Sequence, residues 1–276
     1  MDLRVDYAFK LFFGTGEPRR LISLLNSIFM NKQIPRIIYE LTVVNPSLEK
    51  STIEDKLSTL DIRATLDDGT TACIEMHLYG LIGLKYKSVR SWARAYGEEL
   101  ASGQEYTEQN PVIHISFING PVTDTSGAPV WKIHSLFHIM ERDSHEILLP
   151  DLELHYIDMK AFVKYCDGID ENETGYDKFT QWLMVITQKD IKNKRAIRQI
   201  CSEEEISDAM KTLARLSEDK IKRQAYQRRL DELRSYNHII RQNEEYRVQI
   251  ANKDAALADK DTVIAKLMAQ LDKSNL

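Results

Sequence analysis

The pattern of apolar and polar positions divides the chain into elements before any motif is considered. VDYAFKLFFG (Val5 to Gly14) and PRRLISLLNSIFM (Pro18 to Met30) carry apolar residues at helical spacing; Pro18 sits in the first turn of the second, and Asp2 is placed to cap the first. IIYELTVV (Ile37 to Val44) has the β-branched and aromatic density of a strand, closed by a turn at Asn45-Pro46. Two further strands, LSTLDIRATL and TTACIEMHL, flank Asp67-Asp68-Gly69. From Lys85 to about Gln109 the pattern is helical, PVIHISFI is a short buried strand, Val130 to Met159 holds further strands around a charged turn at ERDSHE, and YDKFTQWLMVIT returns to helix. The expected fold class is α/β with a mixed sheet.

Composition then places a boundary. All 11 glycines and all 7 prolines lie in residues 1 to 201, whereas residues 202 to 276 hold 14 Lys/Arg and 14 Asp/Glu and read as almost continuous helix. The expected organisation is therefore a body of residues 1–201 and a helical tail of residues 202–276. The net charge of −5 belongs to the body alone, since the tail is neutral. Such a charge excludes a protein coated in basic residues for bulk nucleic-acid binding, so a polyanion would need a local basic patch.

The hairpin around Asp67 to Gly69 carries the candidate chemistry. Leu60, Ile62, Ala64 and Leu66 alternate with Thr59, Asp61, Arg63 and Thr65; Ala72, Ile74, Met76 and Leu78 alternate with Cys73, Glu75 and His77. A two-residue turn would set polar residues opposite apolar ones. A three-residue loop with Gly69 in the left-handed conformation pairs Leu66 with Thr70, and then Leu60 meets Met76, Ile62 meets Ile74 and Ala64 meets Ala72. The same register sets Asp61 opposite Glu75 and Thr59 opposite His77. Facing carboxylates repel, which a divalent cation would offset, with His77 beside them to orient water or join the shell. The competing reading is a solvated face on which Arg63 pairs with one acid. Beyond the second strand, Lys87, Arg90 and Arg94 fall on one helical face with Lys85 at its entrance, a stripe suited to flanking phosphates or, equally, to solvent.

These residues carry a resemblance. The order helix, strand, Asp-bearing strand, Glu-bearing strand, helix, strand resembles the PD-(D/E)XK nuclease core. VDYAFKLFFG, VVNP (Val43 to Pro46), LDIRATLDDGTTACIEMH (Leu60 to His77), AYGEELASGQEY (Ala95 to Tyr106) followed by PVIHISF, DLELHYIDM (Asp151 to Met159) and LARLSEDKIKRQAYQRRLDELRSY (Leu213 to Tyr236) are similar to its recombination-promoting nuclease (Rpn) and transposase branch. The resemblance implies a metal-dependent DNA endonuclease linked to recombination or mobile elements. It implies Mg²⁺, or Mn²⁺ or Ca²⁺, held by Asp61, Glu75 and the Ile74 backbone carbonyl. His77 departs from the family, which carries glutamine there, and from the wider class, which carries lysine. Three readings follow: His77 positions the attacking water or ligates metal; Lys85 or Lys87 supplies the missing cation; or this chain is a catalytically silent DNA-binding relative. Asp6 matches an extra acid of some nucleases of the class, against the simpler role of an acid complementing a helix N-terminus.

The remaining features are secondary. Ile250, Leu257, Ile264 and Leu271 recur every seven residues, which points to a short coiled coil and a homodimer or, because Lys253 and Lys260, or Asp254 and Asp261, interrupt the companion positions, equally to a frayed single helix. His114, His134, His138, His145, His155 and His238 have no ligand spacing and are expected to be structural, and Cys73 is expected to be small filler. Three scattered cysteines, no long apolar run and charges within the apolar N-terminal stretch predict a soluble, cytoplasmic chain with no membrane partner.

Overall fold

The structure, a computed structural model, describes residues 1–44, 62–79, 83–101, 103–124, 126–130, 132–170, 173, 175–200 and 204–274. The chain forms two compact units, Met1–Arg229 and Leu230–Leu276. The last proline, Pro150, and the last glycine, Gly175, lie well inside the first compact unit, which continues through Arg229.

In the first unit, α1 (Asp6–Phe9) runs into a π-helical stretch (Lys10–Gly14), and α2 (Pro18–Asn31) follows. Asp2 does not cap α1, contrary to expectation. Its carboxylate accepts from the Arg4 backbone N–H and pairs with the Arg4 guanidinium, and the helix starts four residues later at Asp6. Then come β1 (Leu41–Val43), β2 (Ile62–Leu66), β3 (Thr71–Met76), α3 (Leu84–Glu98), β4 (Val112–Ile118), β5 (Val122–Thr123), β6 (Pro129–Val130), β7 (His134–Phe137) and β8 (Leu152–Asp158). Helices α4 (Met159–Asp167), α5 (Lys178–Thr187), α6 (Lys194–Ile200) and α7 (Glu204–Glu218) complete the order before α8 (Lys220–Ser274). Helix α3 ends at Glu98, well before the expected Gln109, and β1 keeps three residues of the strand expected over 37–44.

The main sheet has the order β1-β2-β3-β4-β8-β7. Strands β1, β2 and β3 are antiparallel neighbours, β3, β4 and β8 are parallel, and β7 pairs antiparallel with β8. Central strands of a mixed sheet are covered on both faces, so β4 and β8 are buried at every position, including the polar His114 and Ser116 of β4 and Glu153, His155 and Asp158 of β8. On one face, α3 lays Trp92 against Leu154 and Tyr156 and Ala95 against Cys73 and Val112. On the other, Phe9 packs on Phe117, Phe13 on Trp182, and Phe29 on His155. Asp158 closes the crossover: its carboxylate accepts from the backbone N–H groups of Lys160 and Ala161 and caps α4.

The hairpin register follows the alternation. Ile62 pairs with Ile74, Arg63 with Cys73 and Ala64 with Ala72, and the Leu66 N–H donates to the Thr70 carbonyl at 2.9 Å. Gly69 has φ +84°, and a β-carbon there would also meet the Asn110 side-chain oxygen at 3.1 Å, so the loop selects glycine twice over. The pairs Leu60 with Met76, Asp61 with Glu75 and Thr59 with His77, like the turn at Asn45-Pro46, lie outside the described residues.

Candidate active site

Helix α3 crosses the sheet over the polar column of β3 and β4. The alternation of β3 turns Cys73 and Glu75 toward α3, and parallel pairing sets His114 beside Cys73 and Ser116 beside Glu75 on the same face. Glu75 is only 2% exposed. Its Oε2 lies 2.9 Å from Lys87 Nζ and 3.1 Å from His77 Nε2; its Oε1 receives the Ser91 hydroxyl at 3.4 Å and faces His114 Nε2 at 3.8 Å. Ser88, one turn before Ser91, meets the Ser116 hydroxyl at 3.3 Å. Lys87 and Ser91 thus reach one buried carboxylate from one stripe of α3, the i, i+4 geometry of a helix face.

The electrostatics are unusual for so buried an acid. Burial alone would raise the Glu75 pKa, but the imidazoles of His114 and His77 and the Lys87 ammonium outweigh it and hold the carboxyl well below the usual carboxylate range. Burial, reinforced by Lys87, lowers the His77 pKa against the pull of Glu75 and keeps the imidazole neutral at physiological pH. His77 Nε2 is near Glu75 but out of line for a hydrogen bond, and His114 Nε2 is too distant for one, so both nitrogens are buried without a hydrogen-bond partner. Buried unpaired polar atoms are costly and are a mark of sites built for something other than stability. Cys73 is no nucleophile, because burial pushes its thiol up to about 12.

The expected site residues are only partly gathered here. Glu75, Ile74 and His77 stand together at the end of β3, where the His77 N–H continues the ladder to the Phe117 carbonyl at 2.8 Å. Asp61 lies outside the described residues. Of the basic stripe, Lys87 points inward to Glu75, Arg94 pairs with Glu98 at 3.0 Å, Lys85 donates to the carbonyls of Thr123 and Asp124, and Arg90 is exposed. Arg63 pairs with Glu98 and Glu99 and leaves Glu75 to Lys87. Asp6 is not brought to this cluster; its carboxylate is held by Arg229, with Nε at 2.9 and 2.8 Å from its two oxygens. His114, expected to be structural, joins the cluster. The sequence signal was its alternation with Ile113 and Ile115, but its closeness to Glu75 depends on the parallel pairing. Beside His77 a cleft of about 330 Å³ opens, lined by Tyr79, Lys85, Tyr86, Asn119 and Thr123.

Among the described residues, no group of three His, Cys, Asp or Glu side chains is arranged to hold a metal ion. Glu75 suits one ligand position, being charged and flanked by unpaired imidazole nitrogens, but an ion would need a second acid, the place Asp61 has in the sequence pattern. No described helix is long and apolar enough to cross a membrane.

A mixed sheet with a buried glutamate on the strand joining its antiparallel and parallel halves is α/β architecture of the PD-(D/E)XK nuclease class. A family model described as PD-(D/E)XK nuclease family transposase matches residues 3–243, and the chain belongs to that family. No curated protein and no solved structure matches it significantly.

Proposed function

We propose that the chain is a metal-dependent DNA endonuclease that hydrolyses phosphodiester bonds and serves recombination or mobile elements. The observation that supports this most is a deeply buried carboxylate kept ionised by a lysine and two imidazoles whose Nε2 atoms have no partner. Asp61, Glu75 and the Ile74 carbonyl are the residues that would hold Mg²⁺, with Mn²⁺ or Ca²⁺ as alternatives; the bound ion would supply Lewis acidity and a water of lowered pKa. Glu75 fixes the negative charge at the end of β3. Lys87, delivered from α3, supplies the cation that His77 does not, beside the carboxylate and at one-third exposure. His77, neutral and lining the cleft, orients a water or a phosphate oxygen. Arg90, with Lys85 and Arg94 on the same helix, contacts flanking phosphates, and two copies joined through the helical tail would serve two strands. Asp6 is left with a positioning role through Arg229.

The experiment is cleavage of plasmid DNA by purified protein with Mg²⁺, Mn²⁺ or Ca²⁺, beside Asp61→Ala and His77→Gln variants. Metal-dependent nicking lost in Asp61→Ala supports the reading. Undiminished cutting in Asp61→Ala or in excess chelator would overturn it. Cleavage by His77→Gln alone would favour the second reading, a silent DNA-binding relative, for which His77 is the specific observation.

A further inference from the structure

The second compact unit, Leu230–Leu276, is built from one helix, α8, and a lone helix has no core of its own. Its residues from Arg241 to Leu267 are all exposed. The apolar ones among them are not scattered. Tyr236, Ile239, Tyr246, Ile250, Leu257, Ile264 and Leu267 fall on a seam that steps alternately by three and four residues, and they are exposed from 48% at Tyr236 to 58% at Ile250. Asn243, Lys253 and Lys260 occupy the remaining places on it. An alternating step of three and four is the spacing at which one helix buries a stripe against another.

We infer that this seam packs against the same seam of a second copy, parallel and in register. Parallel pairing stacks Ile250 on Ile250 of the partner subunit, Leu257 on Leu257 of the partner subunit and Ile264 on Ile264 of the partner subunit. Antiparallel pairing would instead set Ile250 opposite Lys260 of the partner subunit and Leu257 opposite Lys253 of the partner subunit, with Ile264 opposite Tyr246 of the partner subunit. The two lysines that weaken the seam in sequence then acquire partners. In a parallel pair, a side chain at the position of Lys253 packs beside the partner residue that follows it, so Lys253 reaches Asp254 of the partner subunit and Lys260 reaches Asp261 of the partner subunit. Their aliphatic stems cover the neighbouring apolar layers while the ammonium groups emerge at the edge.

Charge use along the helix agrees. Asp231 pairs with Arg234 and Glu244 with Arg247 within their own helix. Among the described residues Lys253, Asp254, Lys260 and Asp261 form no such pair, which leaves them for the partner. Asn243, buried between two copies, can hydrogen-bond only to Asn243 of the partner subunit when the register is exact to the residue, and so selects it against slipped alternatives.

This deepens the homodimer of the proposed function and is separable from the chemistry, since a dimer without nuclease activity would leave it standing. Sedimentation of the full chain reads the oligomer, and mild oxidation of Ile264→Cys, with the native chain as control, reads direction. The expected results are a concentration-dependent dimer, a 264-to-264 disulfide, and a dissociation constant raised roughly tenfold or more by Asp254→Lys with Asp261→Lys. Adding Lys253→Asp and Lys260→Asp to that pair restores the dimer. A chain monomeric at all concentrations overturns the inference. So does cross-linking only between Ile264→Cys and Tyr246→Cys chains, or a dimer indifferent to the charge changes.

Discussion

The two faces of the sheet each bury a glutamate and two histidines, and they treat them in opposite ways. On the face away from α3, His155 Nδ1 and His134 Nε2 share a hydrogen bond at 2.9 Å, His134 Nδ1 donates to the Asn31 side-chain oxygen Oδ1 at 2.8 Å, and His155 Nε2 lies 3.1 Å from Glu153. Arg36 closes the chain on Glu153 at 3.1 Å. Each ring nitrogen there has a partner, and His134 stacks on Phe179 while His155 abuts Phe29. On the α3 face the same residue types converge on Glu75, yet His77 Nε2 and His114 Nε2 are left unpaired. A satisfied buried network fixes which elements pack together. An unsatisfied one keeps donors and acceptors available at a cost in stability, which is the bargain expected of a site that binds something.

Glu75→Gln is the largest break in that comparison. Losing the charge that Lys87 and the imidazoles surround should lower DNA cleavage by about 10³-fold or more with the fold retained, measured by plasmid nicking beside circular dichroism. Glu153→Gln should do the reverse. Removing one partner of the buried Arg36–Glu153 pair costs on the order of 3 kcal/mol in denaturant titration, while cleavage per folded molecule stays near wild type. If instead Glu153→Gln abolished cleavage at full stability, the division of labour between the two faces would be wrong.

A smaller effect separates the roles within the α3 face. Lys87→Met should reduce cleavage on the order of 10²-fold with little change in DNA affinity, whereas Arg90→Ala should weaken binding and steepen no chemistry. Adding His77→Lys to Lys87→Met returns the cation to the strand, and recovery of activity would show that the helix supplies what the strand lost. Loss of affinity alone in Lys87→Met would return that lysine to the phosphate-contacting stripe.

What was legible in the sequence follows the range of the interactions involved. The hairpin register was readable because it depends on residues a few positions apart, an alternation of period two and a glycine that only one loop length explains. The stripe of Lys87, Arg90 and Arg94 was readable as a helical face. That Lys87 turns inward was not, because its carboxylate lies across a gap the helix spacing cannot see. His114 and the pair His134 and His155 were hidden for the same reason: His114 meets Glu75 across a parallel strand pair, and His134 meets His155 across an antiparallel pair and Asn31 on α2, all set by sheet order. The end of α3 was missed because nothing apolar marks it; Arg63 bonding to Glu98 and Glu99 fixes it from outside the helix.

The smallest effect is one of pH, and it concerns the satisfied face. Burial, with the neighbouring His155 and Lys32, lowers the His134 pKa to about 2. An unfolded His134 would take up a proton near its ordinary value of 6.5. Below that pH the unfolded chain therefore binds a proton that the folded chain refuses, and stability falls as pH falls, by at most about 1.4 kcal/mol per pH unit from this group. The window between roughly pH 6.5 and 4.5 isolates the imidazoles, because unfolded carboxylates begin to protonate only near its lower edge. His134→Phe keeps the stack on Phe179 but removes the titrating group, so its stability should be lower at pH 7 yet flatter between pH 6.5 and 4.5 in urea titrations. An equally steep variant would place the acid sensitivity elsewhere, and with it the claim that this face is structural.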